Sequence, residues 1–232
     1  MRNVPDAVML FAAGFGTRMG ALTADRPKPL VPVAGRALID HALALADAAG
    51  TARKVVNLHY LGAMIAEHLK GRPDVALSWE RETILETGGG LRAALPLLGE
   101  GPVFTLNTDA VWTGANPLDE LRDGWDGDRM DARLLLMPRD RVRGHAGKGD
   151  FDLLPDGRIV RGRSHVYLGA QILDPRAMAA IADPVFSFNR LWDLIIAGGR
   201  AFGTEHRGGW CDVGRPEGIT EAEALLGDAA DA

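Results

Sequence analysis

The chain has 232 residues, 47% hydrophobic and 25% charged, with 26 basic against 31 acidic side chains and a net charge of −5. That length supports one core burying about 70% of the unfolded surface, the composition is that of a globular chain rather than a disordered one, and the acidic balance argues against a surface that coats nucleic acid. No apolar run approaches the ~20 residues that cross a bilayer, and the single cysteine, Cys211, allows no internal disulfide.

Residues 7–13 read as a strand, 37–49 as an apolar-rich helix and 54–59 as a second strand. A helix over 60–69 follows, with Leu61, Met64, Ile65 and Leu69 at helical spacing. Strands at 75–79 and 103–107 flank a helix that starts near Gly89 and ends near Leu98. This alternation predicts an α/β fold, Rossmann-like, with a mixed, mostly parallel sheet and helices on both faces. Its ligand crevice should lie at the carboxyl ends of the strands. Further on, 133–137 reads as a strand, 139–150 as a loop, and 151–154 with 158–160 as a hairpin about Pro155-Asp-Gly157. A strand over 166–173, a helix from Asp174-Pro175, a helix over 187–197, a strand at 201–206 and a helix over 216–226 complete the chain. No linker or repeat interrupts it, so residues 1–232 should form a single domain on one sheet. The short apolar start is broken by Pro5 and Asp6, unlike a signal peptide, and a cytoplasmic location is expected.

The first strand runs into Gly14-Phe-Gly-Thr-Arg-Met19, and Pro27-Lys-Pro-Leu-Val-Pro32 follows. Glycines let the backbone approach an anion, and consecutive N–H groups in such a turn form a concavity for it. Arg18 adds a planar fork and Lys28 a compact charge, held by prolines at 27 and 29. The chemistry indicated is phosphate binding. It is neither a Walker loop nor a dinucleotide fingerprint, because Met19 stands where the third glycine belongs.

The stretch LFAAGFGTRMGALTADRPKPLVPVAG resembles the start of the sugar-1-phosphate nucleotidyltransferases, departing at Ala21, where that family usually has proline. Glu86-Thr-Gly-Gly-Gly90, Asn107-Thr-Asp109, Gly149-Asp-Phe151 and Gly209-Trp-Cys-Asp-Val-Gly214 continue the likeness over nearly the whole chain. In order and spacing these look most like the short uridylyltransferases that act on N-acetylmuramate 1-phosphate. The resemblance implies the nucleotide-diphospho-sugar transferase type of fold, with a nucleotide-binding half at about 1–112 and a sugar-binding half at about 113–232. It implies attack of a sugar-1-phosphate oxygen on the α-phosphorus of a nucleoside triphosphate, with loss of pyrophosphate. Such an oxygen is already a nucleophile, so catalysis means alignment and charge neutralisation.

Carried onto this chain, the resemblance makes Lys28 and Arg18 catalytic. It puts Ala12, Ala13, Gly14, Gly16, Thr17, Arg18, Lys28, Glu86, Thr87, Gly88 and Asn107 on the nucleotide. It makes Mg2+ the cofactor, held by Asp109 and Asp212, with Thr108 standing where the family more often has glycine. Asn107, Gly149, Asp150 and Gly169 fall at sugar-contacting positions. Arg161 or Arg163 is a candidate partner for the lactyl carboxylate of a muramyl sugar, against the plainer reading of a charged sheet edge. The partners implied are small molecules, with no nucleic acid and no membrane, and monomer and homodimer both stay open.

Three alternatives stay in view. One is a glucose- or mannose-1-phosphate nucleotidyltransferase using UTP, dTTP or GTP, because base identity rests on few contacts. Another is a cytidylyltransferase for a choline-like alcohol, disfavoured by the lack of an aromatic cage. The third is a silent regulator, disfavoured because Arg18, Lys28, Asp109 and Asp212 are all present. The six histidines lack metal-ligand spacing, and the tryptophans are expected to pack. With the sequence ending soon after the last helix, no acyltransferase or β-helix domain is expected.

Overall fold

The computed structural model describes residues 4–145 and 147–230; residue 146, in the expected 139–150 loop, lies outside them. In chain order the elements are β1 (Ala7–Phe11), β2 (Pro32–Val33), β3 (Arg36–Ala37), α1 (Leu38–Ala48), β4 (Arg53–Leu58), α2 (Gly62–His68), β5 (Val75–Trp79), α3 (Glu86–Leu98) and β6 (Val103–Asn107). There follow β7 (Ala110–Trp112), α4 (Pro117–Asp123), β8 (Ala132–Pro138), β9 (Phe151–Leu153), β10 (Ile159–Arg161), β11 (His165–Leu173), α5 (Phe188–Ala197), β12 (Ala201–Glu205), β13 (Trp210–Asp212) and α6 (Glu217–Ala230).

Nine strands make the main sheet, in the order β10-β9-β11-β6-β1-β4-β5, with β8 on β11 and β12 on β8. The expected parallel core is present: β1 lies between β4 and β6, and β5 follows β4, all parallel. The sheet turns mixed where β11 runs antiparallel to β6 and β8.

The alternation of β1 shows why helices cover both faces. Ala7 and Met9 point to one side and pack with Leu91, Ala94 and Leu98 of α3 and with Leu191, Trp192 and Ile195 of α5. Val8 and Leu10 point to the other, among Ile39, Leu43 and Ala46 of α1 and Leu118 and Leu121 of α4. Each fully buried leucine, isoleucine, valine or methionine among these contributes roughly 1.5–3 kcal/mol. A third cluster lies outside the sheet, where Ala222 and Leu225 of α6 cover Met19, Val31, Val33, Val111, Cys211 and Val213.

Five elements stand out as differing from expectation. β7 and β13 are three-residue strands that form their own two-stranded ribbon, with Cys211 also bridging to Arg143, too short to show a period. α4 begins with Pro117 behind Asn116, whose side chain accepts the Leu118 N–H. The Asp174-Pro175 helix is a 3-10 turn over Pro175–Ala180. α3 starts at Glu86, so Gly88, Gly89 and Gly90 belong to its first turns and not to a preceding loop.

Candidate active site

The carboxyl ends of β1, β4 and β6 open into a cavity of about 390 Å³. Of the residues expected on the nucleotide, Ala12, Ala13, Gly14, Gly16, Thr17, Arg18, Lys28, Glu86, Thr87 and Asn107 line it. Gly16 takes a left-handed φ of +65°, and a Cβ there would sit 3.0 Å from Lys28 Cβ and 3.2 Å from Thr23 Cγ2. Glycine therefore serves twice, in the turn and in bringing the lysine segment against it. The prolines around Lys28 allow a single 3-10 turn, Lys28–Leu30, which leaves Lys28 8% exposed.

Lys28 Nζ meets Asp109 Oδ2 at 2.7 Å. Asp109 follows β6, and Asp212 ends β13, whose antiparallel register on β7 sets Asp212 opposite Ala110. The Val213 N–H donates to the Asp109 carbonyl at 2.8 Å, so the ribbon delivers the second aspartate beside the first. A Cβ on Gly214 would lie 2.8 Å from Asp212 Oδ2 and 3.2 Å from Arg18 Nη1, which places guanidinium and carboxylate around that bare position. Burial raises the Asp212 carboxyl above its ordinary pKa and Asp109 raises it further, while Lys28, Arg18 and His145 oppose the shift. Arg18, Lys28 and Asp109 thus line the cavity, and Asp212, which does not line it, is close enough to interact with all three. Thr108 turns its hydroxyl away, donating to the Phe11 carbonyl at 2.7 Å, and so ties β6 to β1.

Gly88 differs from expectation. Its N–H and that of Gly89 both donate to the Phe186 carbonyl, and a Cβ on Gly88 would stand 2.2 Å from the Phe186 ring. This glycine serves helix packing and does not line the cavity.

Of the expected sugar positions, Gly169 touches a residue that lines the cavity, and none of Gly149, Asp150 and Gly169 lines it directly. Gly169, at φ +83° within an irregularity of β11, abuts the Asn107 side chain, where a Cβ would be 2.8 Å from Nδ2. Gly149 lies against the carbonyls of Arg163 and His165, and Asp150 accepts the Tyr167 N–H at 2.9 Å. Arg161 is committed elsewhere: it pairs with Asp193 at 2.8 Å, donates to the Asn189 carbonyl and lies over the rings of Phe151 and Trp192. Arg163 is exposed, and its backbone N–H donates to Asp152. Neither arginine lines the cavity.

Sequence reasoning missed Asn57, near the end of β4, and Glu80, just beyond β5, which line the cavity as buried polar groups. The available signal was a polar residue closing an apolar strand at the crevice end. Trp112 and Trp210 pack edge to face at 6.3 Å, as expected.

A family profile described as the MobA-like NTP transferase domain matches residues 8–156. The chain belongs to this family. The transferase is 42% identical to the N-acetylmuramate alpha-1-phosphate uridylyltransferase of Caulobacter vibrioides, over 99% of this chain and 100% of that one. It is 34% identical to the protein of the same name from Neisseria meningitidis serogroup B, over 94% and 97% of the two chains. Among solved structures, HddC from Yersinia pseudotuberculosis superposes with a TM-score of 0.77 at 20% identity, covering 95% of the transferase and 99% of that chain. The inositol-1-phosphate CTP transferase from T. maritima does so at 0.75 and 15%, covering 100% and 99%. These two likenesses establish the nucleotidyltransferase fold, and the sequence relatives establish the transferase as a nucleotidyltransferase. No helix among the described residues is long and apolar enough to cross a membrane.

Proposed function

We propose that this nucleotidyltransferase joins UTP and N-acetylmuramate 1-phosphate, releasing pyrophosphate and forming UDP-N-acetylmuramate for cell-wall salvage in the cytoplasm. The observation that carries the reading is the convergence of Arg18, Lys28, Asp109 and Asp212 beside a strand-end cavity. The choice of base and sugar rests on the relatives that share the order of motifs along the whole chain.

Two carboxylates whose mutual repulsion raises one of them suit a divalent cation, and Mg2+ with oxygen ligands fits Asp109 and Asp212. When bound, it supplies positive charge against phosphate oxygens. The chain's own residues do the rest. The 12–17 loop and Lys28 surround the phosphates, and Arg18 neutralises charge at the α-phosphorus and the departing pyrophosphate. Thr87 and the rim near Glu86 face the base. Asn107, backed by Gly169, lies between the nucleotide and the acceptor, with Gly149 and Asp150 towards the acceptor's hydroxyls. No side chain removes a proton, since the attacking phosphate oxygen is already anionic.

The test is pyrophosphate release with Mg2+, pairing UTP, dTTP, CTP and GTP with the 1-phosphates of N-acetylmuramate, glucose and mannose. A dominant signal for UTP with the muramyl substrate is expected. A dominant signal for another pair would replace the specificity and keep the phosphate chemistry.

A further inference from the structure

A chain of hydrogen bonds crosses the floor of the cavity. The Ala12 N–H donates to Asn57 Oδ1 at 2.7 Å, Asn57 Nδ2 donates to Glu80 Oε1 at 2.7 Å, and the Leu85 N–H donates to Glu80 Oε2 at 2.7 Å. Asn57 and Glu80 are each 3% exposed. Among the described residues no cation pairs with Glu80. Even α3 gives way to the chain, because a Cβ on Gly90 would lie 2.7 Å from Glu80 Oε1 and 3.1 Å from Asn57 Nδ2.

Both ends of this chain are backbone donors, which dictates what can stand between them. A carboxamide accepts on one side and donates on the other; an ionised carboxylate only accepts. Two inward-facing N–H groups therefore need one carboxamide and one carboxylate. With two carboxamides, one donor stays orphaned whichever way either amide flips. Glutamate at position 80 is thus required by count, which accounts for a carboxylate buried without a cation.

The ends of the chain also matter. Ala12 begins the glycine loop, and Leu85 precedes Glu86, a cavity-lining residue held at φ +59° at the start of α3. We propose that Asn57 and Glu80 are positioning residues, a brace that fixes the loop wall and the rim of the nucleotide pocket in register before substrate arrives. The brace acts through Ala12 and Leu85, and it rests on the nucleotidyltransferase reading above. Its contribution is preorganisation, so it should act on nucleotide affinity more than on the chemical step.

The test is a swap that preserves the count. Glu80→Gln orphans one donor and should weaken Mg2+–UTP binding by calorimetry about tenfold. It should raise the KM for UTP similarly and leave kcat within about threefold. Asn57→Asp sets two carboxylates face to face and should be at least as damaging. The double variant Asn57→Asp/Glu80→Gln restores one carboxylate and one carboxamide, in reversed order, and should return affinity to within about threefold of wild type. Amide exchange at Ala12 and Leu85 should quicken in Glu80→Gln and recover in the swap. Wild-type affinity in Glu80→Gln would overturn the proposal. A folded double variant no better than Glu80→Gln would also overturn it, pointing to a direct contact between the carboxylate and the ligand. If the wild-type protein binds no UTP, the functional reading falls, and amide exchange still decides the brace.

Discussion

Val213 donates its backbone N–H to the carbonyl of Asp109 at 2.8 Å, and this one bond brings the two aspartates of the site together. Neither carboxylate could be recruited by the other through charge, since they repel; the ribbon of β7 and β13 imposes the approach. Asp109→Asn and Asp212→Asn should each lower kcat/KM about 10²–10³-fold with the fold retained, read by pyrophosphate release beside circular dichroism. A variant with activity near wild type would remove that aspartate from the site.

The imposed repulsion carries a pH signature. The Asp212 carboxyl is held above its ordinary value by burial and by Asp109. A raised folded-state pKa disfavours the charged form, so metal-free stability should rise as pH falls through that value towards the unfolded value of about 3.9. Mg2+ should offset the repulsion, so saturating Mg2+ should raise Tm more at pH ~8 than at pH ~5. In Asp212→Asn the pH dependence of that increment should flatten, which differential scanning fluorimetry measures.

Gly16 and Gly88 are glycines for different reasons, and substitution should separate them. Gly16→Ala meets a left-handed φ and the Cβ of Lys28, so about 1–2 kcal/mol of stability should be lost together with nucleotide affinity. Gly88→Ala drives a methyl into the Phe186 ring and should cost about 1–3 kcal/mol. The surviving folded fraction should bind nucleotide normally. Chemical denaturation and calorimetry on the same samples distinguish the two patterns.

Arg161 is stacked on Phe151 and Trp192 and paired with Asp193. Arg161→Ala should therefore cost about 1–2 kcal/mol in stability and leave the KM for the acceptor unchanged. A raised KM for a muramyl acceptor alone would return Arg161 to the substrate.

Cys211 is fully buried, and burial together with Glu221 and Asp212 pushes its thiol up to about 12. Because the thiolate is the nucleophile, native protein should resist iodoacetamide at pH ~8 and react promptly once unfolded. Mass spectrometry after timed quenching reads the difference.

The parallel half of the fold was legible because β1, β4, β5 and β6 are apolar runs punctuated by helical patterns, and the limits of β5 and β6 fall as expected. The glycine loop and Lys28 were legible because their residues lie near one another in sequence. Asp212 was reachable only through resemblance, since its place beside Asp109 depends on a long-range register between two three-residue strands. Asn57 and Glu80 escaped because a polar residue at a strand end is a common local feature, and what joins these two is a bond count across three elements. Arg161 was ambiguous in the sequence, because alternating arginines at a sheet edge look the same whether they await a ligand or already lie on a tryptophan.

The ribbon has a consequence for how the protein comes into being. On the ribosome, the loop proposed to grip phosphate and the lysine beside it are made first, whereas the second carboxylate emerges with β13, just ahead of the helix that seals Cys211 and Val213 against Met19 and Val31. The aspartate pair is therefore complete only once β13 has paired with β7.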